Sequence, residues 1–196
     1  GIVNGQVDAA YATTVSGPTR KLEASPRGIF WPPAPHNDAG CWQRMTKVVP
    51  FMQQHMATRG AGISVENPHE GATYPYPILI ALAQQDEQIV HDLAKAIHLH
   101  YDDYKNADPG SIGWAMERQN FRWVVPFHAG SIRYLKSIGV WTEEDQSHND
   151  SLIRRQAVLA AAWQQQQAES PDDYEEAWMR RRAAALTTAG FDPIRR

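Results

Sequence analysis

The chain has 196 residues, 42% of them hydrophobic, a formal charge of −3 and a single cysteine, Cys41. That is room for one ordinary domain or two small lobes, with no basic field for a nucleic-acid backbone, no internal disulfide and no four-cysteine zinc site. No apolar run approaches the roughly 20 residues that cross a bilayer, so no transmembrane segment is expected. The cluster Arg180, Arg181 and Arg182 stands beside Glu175 and Glu176 and reads as a solvated helix face. An opening on Gly1, with neither a methionine nor a signal peptide, is expected of a processed or truncated polypeptide.

In chain order, Asn4-Gly5 supplies turn chemistry, and residues 7–11 are short, apolar and free of breakers, which predicts a buried strand. Thr13, Thr14 and Ser16 follow in a polar loop that ends at Gly17-Pro18. Open α/β sheets bind ligands outside the carboxyl ends of their strands, which makes these three residues candidate ligand contacts. The same stretch also suits a plain connection, with Ser16 as cap and Pro18 in the first helical turn. A short helix is expected at 20–24 and an apolar strand at 28–31. Pro32, Pro33 and Pro35 then force an extended connection.

Trp42, Met45, Val48 or Val49, and Met52 recur at helical spacing, interrupted by Pro50, so one helix is expected up to Val49 and a second from Phe51. Methionines and an aromatic at that spacing make core. Residues 60–77 are loop-like. Residues 78–83, ILIALA, form a continuous apolar run, as in a strand covered on both faces. The clearest helix is 86–104, with Asp86 as N-cap and a stripe of Ile89, Val90, Leu93, Ile97 and Tyr104 that is expected to cover a sheet. His91, His98 and His100 do not converge on a single helical face, and no metal site is read from them. A short helix is expected over 112–120.

Trp123, Val124 and Val125 are strand-like, and a turn at 126–130 leads into a helix with Ile132, Leu135 and Ile138 inward. Ser131 can cap that helix and Gly139 can end it. His128 and Ser131 lack a marked acid or oxyanion hole, so His128 is expected to hydrogen-bond a backbone carbonyl and fix the turn. No enzyme activity and no cofactor are expected. Beyond residue 142 come two amphipathic helices, parted at Ser170-Pro171 and stopped by Gly190, which predict an antiparallel hairpin. Trp163, Tyr174 and Trp178 are its large anchors, expected to bury against the body or a partner.

Pro126, His128, Ala129, Gly130, Arg133, Tyr134 and Gly139-Val140 together resemble the closing signature of TAXI-type solute receptors. These are the periplasmic binding components of one class of TRAP transporter. Residues 5–11, GQVDAAY, are similar to that family's turn and Asp-Ala strand, and residues 73–83, TYPYPILIALA, resemble its hinge strand. The resemblance covers residues 1–141. It implies an α/β chain forming part of a two-lobed, type II-like periplasmic-binding-protein fold. Residues 1–73 would be the remainder of the second lobe, 74–141 the hinge strand and the return to the first lobe, and 142–196 a helical C-terminal extension.

Tyr74 and Tyr76 would then lie near the interlobe cleft as ligand contacts, although tyrosines beside prolines also serve as plain packing. The implied partners are a small organic acid or amino acid and the membrane subunits of a transporter, in the periplasm. The family's first lobe carries much of its ligand site, and none of it is in this sequence. The alternative is therefore a receptor-derived structural or accessory subunit of a larger, membrane-associated complex, with no ligand of its own.

Overall fold

The computed structural model describes residues 1–75, 78–108 and 110–193. The protein is a mixed helix-and-sheet fold in which helix predominates, and the described residues form one two-stranded sheet. The chain divides into two units, one of residues 1–46, 52–76 and 98–119, the other of residues 47–51, 77–97 and 120–196.

In the first unit, α1 (Gly17–Glu23) and most of α2 (Ala39–Val48) accompany a hairpin of β1 (Gln53–Ala57) and β2 (His69–Thr73). The strands are antiparallel, with His55 opposite Gly71. The core is small: Thr19, Trp42, Ala61, Ile63 and Ala115 are buried. Two tryptophans near it spend their indole donor on backbone, Trp42 on the Pro35 carbonyl at 2.9 Å and Trp31 on the Ala61 carbonyl at 2.8 Å. His36 fastens the 34–36 segment to β2, with its Nε2 at 2.9 Å from the Gly71 carbonyl and its backbone N–H donating to Glu70 at 2.7 Å. The short α4 (Tyr101–Tyr104) and two single turns of tighter helix, Ser111–Trp114 and Met116–Arg118, complete this unit.

The second unit is built on α3 (Glu87–Leu99), α5 (Ala129–Ser137), α6 (Glu143–Glu169) and α7 (Tyr174–Thr188). Asp86 caps α3, its Oδ1 accepting from the N–H groups of Gln88 and Ile89 at 2.8 and 3.0 Å. Gly130 lets α5 approach α3: a Cβ there would lie 2.3 Å from the Glu87 carbonyl oxygen. Tyr134 and Leu135 are buried on the inner side of α5, and His91 of α3 meets the Tyr134 ring edge-on at 5.6 Å. Gly139, at φ 72, ends α5 as expected, with the Val140 N–H returning to the Leu135 carbonyl at 3.1 Å. Phe121, Phe127 and Trp141 form a three-ring cluster at centroid distances of 5.4 to 5.9 Å.

A capping box starts α6. Thr142 Oγ1 accepts from the Asp145 N–H at 3.1 Å, and Asp145 Oδ2 accepts from the Thr142 N–H at 3.0 Å. Buried Asn149 takes the Phe127 N–H at 2.7 Å, so the extension is tied to the turn that precedes α5. The expected hairpin is present. Ser170, at φ 40, turns the chain between α6 and α7, and Gln166, fully buried, donates to the Tyr174 carbonyl and accepts from Arg181. Trp163 lies edge-on to both Tyr174 and Trp178, at 5.9 and 5.0 Å.

Several expected elements are not found. Residues 7–11 and 78–83 were expected to be buried strands; both are irregular, with Val7 45%, Tyr11 77% and Ile80 87% exposed. A strand needs a ladder neighbour, and neither segment pairs with the sheet that the described residues form. The second unit holds no strand among its described residues; α3 packs on α5 there, and Ile89 and Leu93 of its predicted stripe stay exposed. Residues 28–31 form no strand either, because Gly28, at φ 67, turns the chain there. After Phe51 the helical spacing gives way to β1, since pairing with β2 overrides a weak local preference. The predicted helix 86–104 is divided at His100, and 112–120 is two tight turns.

Candidate functional site

The loop of Thr13, Thr14 and Ser16 is organised by a residue outside it. Thr19, on α1 and 1% exposed, places its hydroxyl 2.7 Å from the Ser16 carbonyl, 3.2 Å from the Thr13 carbonyl and 3.1 Å from Ser16 Oγ. Ser16 occupies the N-cap position of α1, with Pro18 in the first turn, but its hydroxyl meets Thr19 and caps no backbone N–H. Thr14 faces the 59–61 loop. Its carbonyl accepts from the Ala61 N–H at 2.8 Å, and its hydroxyl donates to the Arg59 carbonyl at 3.4 Å. Gly60 permits this approach, because a Cβ there would come within 2.6 Å of Thr14 Cβ.

On the far side of that contact is an open concavity of ≈ 560 Å³, lined among others by Arg20, Glu23, Arg59, Gly62, Ser64 and Glu66. Arg20 and Glu23 come from α1 and the rest from the loop after β1. Glu23 bridges the two: Oε1 accepts from the Gly62 N–H at 2.6 Å and Oε2 from Arg20 at 2.9 Å. The Gly62 bond, then the Arg20 guanidinium, hold this carboxyl below the usual carboxylate range. The Ser64 hydroxyl does the same for Glu66. Two guanidinium groups and two carboxylates therefore share one solvent-open surface, on which Arg20 is already paired with Glu23.

The structure thus brings Thr13, Thr14 and Ser16 together and sets Thr14 behind the wall of the concavity rather than inside it. Tyr74 is placed otherwise. Its hydroxyl is hydrogen-bonded to that of Tyr11 at 3.1 Å, and this bond, with partial burial, pushes the Tyr74 phenol above its ordinary value. Tyr76 lies outside the described residues. Arg20, Glu23, Arg59 and Glu66 were not singled out from the sequence. The signal that could have found them is the glycine pair Gly60 and Gly62, both at positive φ, which folds the loop back on α1.

His128 acts in the α5 turn. Its Nδ1 accepts from the Gly130 N–H at 3.1 Å, and its Nε2 lies 3.1 Å from the Gln85 carbonyl, so the expected backbone bond is present. His128, and not Ser131, is the N-cap of α5. Among the described residues, no three His, Cys, Asp or Glu side chains are grouped to hold a metal ion, and no helix is long and apolar enough to cross a membrane. No family model, curated protein or solved structure matches the chain.

Proposed function

We propose that this chain is the C-terminal part of a two-lobed, TAXI-type solute receptor. In this reading it works in the periplasm, binds a small organic acid or amino acid between its lobes and hands it to a membrane transporter. The observation that carries the reading is the segment 78–82. Leu79, Ile80 and Leu82 are 57%, 87% and 68% exposed, in irregular backbone. Apolar surface left in water forgoes about 25 cal/mol per Å², so such a run is suited to a place inside a sheet. A receptor's first lobe supplies that sheet, and the hinge-strand resemblance of residues 73–83 names it.

The ligand half-site in this reading is the polar loop of Thr13, Thr14 and Ser16 with the neighbouring Arg20 and Arg59, and the family resemblance implies Tyr74 and Tyr76 as further ligand contacts. Each charge-assisted hydrogen bond forgone costs about 1.5–3 kcal/mol, so a half-site binds far more weakly than a closed cleft.

The second reading is an accessory subunit of a membrane-associated complex, without a ligand. It is supported by the aromatic group on the hairpin, where Trp163 and Tyr174 are each 38% exposed while Trp178 packs behind them. Calorimetry against a panel of organic acids and amino acids separates the two. A polypeptide carrying a first lobe ahead of Gly1 should bind one of them with micromolar Kd, and the 196-residue chain alone only at millimolar or weaker. If the two-lobed polypeptide gives no binding heat with any of them, the accessory reading stands and the receptor reading falls.

A further inference from the structure

We draw no further inference here: the strongest candidate, the exposed apolar segment 78–82 that leads into α3, already carries the proposed receptor reading, and nothing in the structure shows what else covers it.

Discussion

Gly130 packs its α-carbon against α3, and the space a methyl group would need holds the Glu87 carbonyl at 2.3 Å and the His91 nitrogen at 2.9 Å. Both are backbone atoms of a helix, so the strain cannot be relieved by a side chain moving aside. Gly130→Ala should therefore lower the stability of the second unit by about 1–3 kcal/mol, the usual range for overpacking. Urea denaturation measures it, with Gly113→Ala as the control, because a Cβ at Gly113 meets nothing within 4 Å. Equal stability of the two variants would mean that α5 does not sit on α3 as described. Another single residue, Asn149, carries a comparable load. It is 2% exposed and accepts the Phe127 N–H. Asn149→Ala leaves that donor without its partner, and a loss of about 1–3 kcal/mol is expected from the same measurement. No loss would mean that water replaces the side chain and that α6 is held by other contacts.

Elements differ in how far the sequence reveals them, and the difference is physical. The start of α3, the stops at Gly139 and Gly190, and the hairpin of α6 and α7 were all legible. Caps and stops depend on residues within one turn of each other, and an amphipathic helix shows its own period. Strands depend on a neighbour that local pattern does not specify. The second helix expected from Phe51 gave way to β1; residues 78–82 have strand composition and stay irregular. The concavity was illegible for a related reason, since it joins α1 to a loop some forty positions later, and only its two glycines hinted at the fold-back.

Residue 80 turns this into a prediction. Were Ile80 in a core strand, a buried aspartate there would cost several kcal/mol. At 87% exposure, Ile80→Asp should instead change the chain's own unfolding free energy by no more than about 0.5 kcal/mol. A drop of several kcal/mol on thermal or urea unfolding would show that the segment is already buried.

For the whole molecule, the two units present different faces of the proposal. The first holds the polar loop and the charged concavity; the second holds the apolar segment and the hairpin. The hairpin is tied to the second unit by Asn149, which accepts from the Phe127 N–H, and by His148, whose Nε2 lies 2.7 Å from the Trp123 carbonyl, and its rings pack first on each other. It therefore behaves as part of the unit whether or not a partner touches its exposed edge. The receptor reading depends most on residues 78–82 being a strand without its sheet, and hydrogen–deuterium exchange of the 196-residue chain tests that directly. The amides of 78–82 should exchange at nearly the rate of an unstructured peptide while those of α3 and α5 are protected, and a first lobe joined ahead of Gly1 should bring protection to 78–82 as well. Strong protection of 78–82 in the chain alone, or none once the first lobe is present, would contradict the account.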